Sequence, residues 1–213
     1  MVCNNNKRQE LLNIAKRMAA EGLVVKSWGN VSAKTKDNEV LITPSAVDYK
    51  IMTAADLMLI NMQGEVLSGS KKPSSEAPLH LAVYNCRKDV KAIVHTHSIY
   101  ATSLAVARKP LPPIVEDLIQ VVGGEVKVAP YAHPGSIDLA ENCANYLDKQ
   151  NAVLLANHGL VGVASSLENA FDVCLIVEKA AQIYLLSQLA GKPFVLDDAN
   201  VTYLYQQFKK YKG

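Results

Sequence analysis

Leu11, Leu12, Ile14, Ala15, Met18 and Ala19 recur at helical spacing. They predict an amphipathic helix over residues 7–22, with Gly22 as its stop. The pattern then shortens to apolar runs broken by turn residues. Residues 39–42 and 57–61 read as strands, Thr53-Ala54-Ala55-Asp56 as a capped single turn, and Gln63-Gly64-Glu65 as a hairpin turn with its return strand at Val66-Leu67. The first third is therefore predicted to be an antiparallel β region. Pro73-Ser74-Ser75 opens a helix over 76–86, with Ser75 as the expected N-cap. Helices are also predicted over 99–108, over 137–150 with Ser136 as cap, and over 167–190, where Gly191-Lys192-Pro193 ends the last. Order resumes over 114–124 after a proline-rich break, and 126–129 is a short strand. Residues 197–213 form a tail carrying Tyr203, Tyr205, Phe208 and Tyr211.

Two apolar runs end in histidine. The first, residues 90–98, reads Val-Lys-Ala-Ile-Val-His-Thr-His-Ser, so His95 and His97 are two residues apart. On a strand such residues share one face, and both imidazoles can address one point. The second, residues 152–160, reads Ala-Val-Leu-Leu-Ala-Asn-His-Gly-Leu and brings in His158. Two strand ends can pool three neutral nitrogens around a divalent cation with an open position, the pattern of a catalytic zinc site. The bland alternative is histidines that only cap backbone groups. Cys3, Cys86, Cys143 and Cys174 are scattered with no Cys-x-x-Cys pair, which excludes a thiolate zinc site of that kind. His80, one turn after Glu76, is expected to pack or to support the site from behind, and His133 in the 131–136 loop to be a surface or loop histidine, with substrate contact as the alternative.

Composition narrows the class. The 213 residues are 49% hydrophobic with a net charge of +2, an ordinary globular balance that excludes disorder as the main state. No basic run is interleaved with aromatics, so nucleic acid is not an expected partner. The polar start and the lack of a long apolar stretch point to neither a signal peptide nor a membrane span, and the expected compartment is the cytoplasm. Three polar turns suit an anion instead. Ser27-Trp28-Gly29-Asn30 and Thr43-Pro44-Ser45-Ala46 offer backbone N–H and hydroxyl donors, and Ser74-Ser75 sit at a helix start where a phosphate is favoured. Glu76 could point into the same pocket as a base.

In order, Gly29-Asn30-Val31-Ser32, Thr43-Pro44-Ser45, Ser74-Ser75-Glu76, His95-x-His97 and Asn157-His158-Gly159-Leu160 resemble the class II aldolase/adducin family along almost the whole chain. The resemblance implies a three-layer α/β/α fold around a mainly antiparallel sheet, spanning residues 1–213 as one domain with a tail from about 197. The activity implied is zinc-dependent retro-aldol cleavage of L-fuculose 1-phosphate to dihydroxyacetone phosphate and L-lactaldehyde, in a homotetramer with sites at subunit interfaces. It further implies His95, His97, His158 and Glu76 at Zn2+, Glu76 as acid/base, and Ser27, Gly29, Asn30, Ser45, Ala46, Ser74 and Ser75 at the phosphate. Tyr211 matches a tail tyrosine that closes over the substrate. Two positions depart from the pattern. Glu116-Asp117 stands where a tyrosine serving the neighbouring site is expected, which bears on aldehyde specificity, and Ala46 replaces a glycine. Related members imply other outcomes, namely L-ribulose-5-phosphate 4-epimerase, methylthioribulose-1-phosphate dehydratase, or a non-catalytic adducin-like module. The retained histidines and Glu76 argue against the last.

Overall fold

The computed structural model describes residues 2–212, with side chains over 6–207. Phe208 and Tyr211 thus fall outside the residues whose side chains are described. Alternating apolar positions build one mixed sheet from β1 (Asn30–Lys34), β2 (Val40–Ile42), β3 (Met58–Ile60), β4 (Val66–Ser68), β5 (Ala92–Thr96), β6 (Val128–Ala129), β7 (Ala152–Leu155) and β8 (Gly159–Ala164). The order is β4-β3-β2-β1-β5-β8-β7-β6, antiparallel throughout except for the parallel β6–β7 pair.

Successive residues face opposite layers. Val40, Ile42, Met58, Ile60 and Ile93 pack towards α2 (Ala77–Cys86) and α5 (Ile137–Leu147). Leu41, Leu59, Ala92 and Val94 pack on the other side, with α1 (Val2–Ala20), α3 (Ile99–Val106) and α6 (Leu167–Ala190). The result is the three-layer α/β/α arrangement. Burial on both faces explains why β2, β3, β5 and β7 read as short continuous apolar runs. Glu178 of α6 accepts from the Tyr100 and Ala101 N–H groups at 2.9 and 2.8 Å, capping α3 with a carboxylate from another element.

Four expectations need correction. The N-cap of α2 is Glu76; Ser74 Oγ instead accepts from the Glu76 N–H at 3.2 Å. His158 does not end a strand but sits in the turn joining β7 to β8. The tail folds as α7 (Asp198–Lys212), which packs on α4 (Glu116–Val122). One helix, α6, is long and apolar enough by length and composition to cross a membrane. Its Ala170, Phe171, Cys174, Val177 and Ala181 nevertheless lie in the core against the sheet. Among the described residues, Cys86, Cys143 and Cys174 are free thiols.

Candidate metal centre and pocket

Strand pairing assembles the site. β1 lies antiparallel to β5 with Asn30 opposite His95, and β8 flanks β5 on its other side. His97 leaves the strand and is held by its N–H on Leu23 O at 3.1 Å. The β7–β8 turn places His158 beside them, after Asn157 in a left-handed conformation (φ 56). Two glycines permit these approaches. A Cβ on Gly159 would lie 2.2 Å from Thr96 O, and one on Gly29 (φ +75) would lie 2.5 Å from His95 O. The Tyr49 hydroxyl donates to Gly29 O at 2.6 Å and pins that turn.

His95 Nε2 lies 3.0 Å from His97 Nε2 and 3.3 Å from His158 Nε2. Glu76 reaches the same point, with Oε2 3.1 Å from His95 Nε2 and Oε1 3.0 Å from His158 Nε2. A tetrahedral cation with bonds of about 2.0–2.1 Å separates its ligands by about 3.3–3.4 Å. His95 Nδ1 lies 2.9 Å from Leu160 O, which only accepts, so the ring proton sits on Nδ1 and the Nε2 lone pair faces the centre. His95, His97 and His158 therefore form a group able to hold a metal ion, with Glu76 as a further oxygen donor.

Electrostatics agree with ligation. Burial lowers His95 to about 4 and His97 to about 3, so both rings are neutral near pH 7. Burial alone would raise the Glu76 carboxyl. Charge on His95 and His158 and hydrogen bonds from His158 and Asn30 outweigh it, and the net shift is downward.

These groups open into a cavity of about 360 Å³ lined by Ser27, Gly29, Asn30, Ser45, Ala46, Ser74, Ser75, Glu76, His97 and His158. The three polar turns thus converge on one space although they are far apart in sequence. Ala46 adopts φ +59, a left-handed conformation natural to the glycine expected there. Glu116 is exposed at the start of α4 and does not line this cavity. Asp117 is engaged by Lys179 at 2.7 Å. His133 lies outside the cluster, beside Tyr131 at 5.8 Å between ring centres. Trp28, Tyr131 and Asn157 also line the cavity and escaped sequence reasoning. Trp28 is 63% exposed and tilts over His97, with ring centres 5.9 Å apart. Its position inside the Gly-Asn turn was the available signal.

A model of the Class II Aldolase and Adducin N-terminal domain matches residues 9–185. The chain belongs to this family. Among curated family relatives, it is 37% identical to the 5-deoxy-D-ribulose 1-phosphate aldolase of Bacillus thuringiensis serovar kurstaki, over 96% of each chain. It is 33% identical to the L-fuculose phosphate aldolase of Escherichia coli O6:H1, covering 97% of this chain and 96% of that one. A solved L-fuculose 1-phosphate aldolase superposes with a TM-score of 0.92 at 38% identity, covering 95% of both chains. Family membership and these relatives make the chain a lyase, and a sugar phosphate fits it as substrate.

Proposed function

We propose that the protein is a zinc-dependent aldolase that cleaves a ketose 1-phosphate to dihydroxyacetone phosphate and a short aldehyde. The observation that carries this reading is one cavity lined by His97, His158, Glu76 and a wall of serine hydroxyls, with His95 buried against them and the carboxylate 3.1 Å from His95 and 3.0 Å from His158. All-nitrogen ligands with one carboxylate suit zinc. The bound ion supplies Lewis-acid stabilisation of negative charge on the ketose oxygens. Ser27, Gly29, Asn30, Ser45, Ala46, Ser74 and Ser75 hold the phosphate, whose binding orients the bond to be broken. They offer neutral donors, and the start of α2 adds the positive end of its dipole.

In the cleavage, the C4 hydroxyl gives its proton to the Glu76 carboxylate and its oxygen becomes the carbonyl of the departing aldehyde. The C3–C4 bond pair passes to the three-carbon fragment, and Glu76 returns that proton to C3, ending ionised as it began. Lining by Trp28 and Tyr131 limits water at the pocket mouth. Tyr211 is the tail group assigned to cover the substrate, and Glu116 to meet the aldehyde half in a neighbouring subunit's site. A homotetramer follows from the same reading, and the exposed Leu189, Phe194 and Trp28 supply apolar surface for subunit contact. Sedimentation of the purified protein as a monomer would remove it.

L-Fuculose 1-phosphate is the substrate that the motif order favours. A second substrate, 5-deoxy-D-ribulose 1-phosphate, is supported by the 37% identical relative. The two share the phosphorylated carbons and differ only in the aldehyde, L-lactaldehyde against acetaldehyde. The test incubates zinc-loaded protein with each and with L-ribulose 5-phosphate. Release of dihydroxyacetone phosphate from either of the first two supports the aldolase and names its aldehyde. Epimerisation of the third with no triose from the others makes it an epimerase. Glu76→Gln is expected to keep bound zinc and lose hydrogen exchange at C3 of dihydroxyacetone phosphate; retained exchange removes Glu76 from that step.

A further inference from the structure

Behind Glu76 runs a buried polar chain that the cleavage chemistry does not itself require. Glu76, His80 and Tyr84 follow at i, i+4 and i+8 along one side of α2, while Asn30 and Ser32, at i and i+2, share one face of β1. The two sets interleave. Tyr84 Oη lies 2.8 Å from Ser32 Oγ, Ser32 Oγ 2.6 Å from His80 Nδ1, His80 Nε2 2.5 Å from Asn30 Oδ1, and Asn30 Nδ2 2.8 Å from Glu76 Oε2. Ser32, His80 and Tyr84 are fully buried, and Asn30 and Glu76 are only 4% and 6% exposed.

Donor and acceptor chemistry gives this chain one direction. An ionised carboxylate only accepts, so Asn30 turns its NH2 to Glu76 and its oxygen to His80. That oxygen also only accepts, so His80 carries its proton on Nε2. A neutral imidazole then has a bare Nδ1, which takes the Ser32 hydroxyl proton, and Ser32 Oγ accepts from Tyr84. Flipping the Asn30 amide would set donor against donor at His80 and acceptor against acceptor at Glu76. Because these groups are buried, that arrangement is costly.

We propose that His80 is a positioning residue: by donating from Nε2 to Asn30 Oδ1 it fixes the Asn30 amide, which in turn holds the Glu76 carboxylate in place beside the three histidines. Asn30 also lines the cavity, so the same bond sets the orientation of a group facing substrate. Burial keeps His80 neutral, lowering it to about 4, as this direction needs. The kinetic part of the proposal rests on the aldolase reading; the amide assignment does not.

Two measurements test it. In protein labelled with 15N-histidine, the signals lost in His80→Gln are expected to show a protonated Nε2 and a bare Nδ1. The opposite tautomer would overturn the assignment whatever the activity. In zinc-loaded protein, exchange of the C3 hydrogen of dihydroxyacetone phosphate into heavy water is followed at saturation. His80→Phe is expected to slow it about 10- to 100-fold, the usual effect of losing a group that orients a ligand, while the concentration for half-saturation stays within about twofold. Ser32→Ala, a small change on a strand, is expected to slow it severalfold. His80→Gln, whose amide can still donate to Asn30, is expected to recover much of the loss. In an Asn30→Ala background, His80→Phe and Ser32→Ala should have no further effect. Equal losses in both backgrounds, or no loss at all, would overturn the proposal. A wild-type protein that exchanges nothing overturns the aldolase reading and the kinetic claim together, and the tautomer alone then decides whether His80 sets the amide.

Discussion

Gly159→Ala places a single methyl at the most crowded point of the site. Its Cβ would meet Thr96 O at 2.2 Å and the rings of His95 and His97 at 3.2 Å each. A carbon–oxygen contact normally rests at roughly 3.3–3.6 Å, so β8 and β5 must part by about 1 Å. The obstacle is backbone carbonyl, which no rotamer change can move. Overpacking of this kind costs about 1–3 kcal/mol. The metal centre is hit harder. His95 lies on β5, His97 follows directly after its end and His158 lies in the turn before β8, so parting the strands moves two ligands away from the third. Metal sites tolerate about 0.2 Å in ligand distance. Zinc affinity should therefore fall at least about 10-fold, and the zinc-loaded protein should lose about 1.4 kcal/mol more stability than the metal-free protein for each tenfold lost. Competition with a chromophoric chelator gives the affinity, and urea unfolding with and without zinc gives the stability. An affinity within about twofold of wild type, with an unchanged urea midpoint, would refute the reasoning.

His158→Ala should reduce bound zinc well below one per chain while His133→Ala leaves it unchanged, as read by elemental analysis; equal zinc in the two variants removes His158 from the centre. Ala46 holds φ +59, where a Cβ is strained by roughly 1–2 kcal/mol. Ala46→Gly should thus be neutral or slightly stabilising in urea, opposite in sign to an ordinary Ala→Gly change, and a loss above about 1 kcal/mol would contradict this. The metal-free protein should lose stability in acid. Burial lowers His80 and His95 to about 4 and His97 to about 3, from an ordinary value near 6.5. The folded form keeps these rings neutral while the unfolded chain protonates below about 6.5, so stability present above that pH drains away as pH falls towards 4, by up to about 1.4 kcal/mol per pH unit for each ring. Urea midpoints in chelator that stay flat between pH 7 and 5 would count against it.

Local pattern alone determined much of this molecule. The apolar periodicity and the Gly191-Lys192-Pro193 stop placed α6 at Leu167–Ala190. The two histidine-ended runs picked out His95, His97 and His158, although only His95 lies on a strand, His97 just beyond its end and His158 in the turn between β7 and β8. Where local signals compete, tertiary contacts decided. Glu76 displaced Ser75 as the start of α2 because Ser74 and Glu76 are committed to contacts with each other and with the site. The tail became α7 because α4 offers it a surface that no neighbouring residue reveals. Above all, strand order is non-local. Only the insertion of β1 between β2 and β5 puts Asn30 opposite His95, and only the seating of α2 over that face lets His80 reach Asn30. Sequence specified the donors and acceptors; the sheet decided which would meet, because hydrogen bonds between elements depend on register and distance that a chain acquires only when it packs.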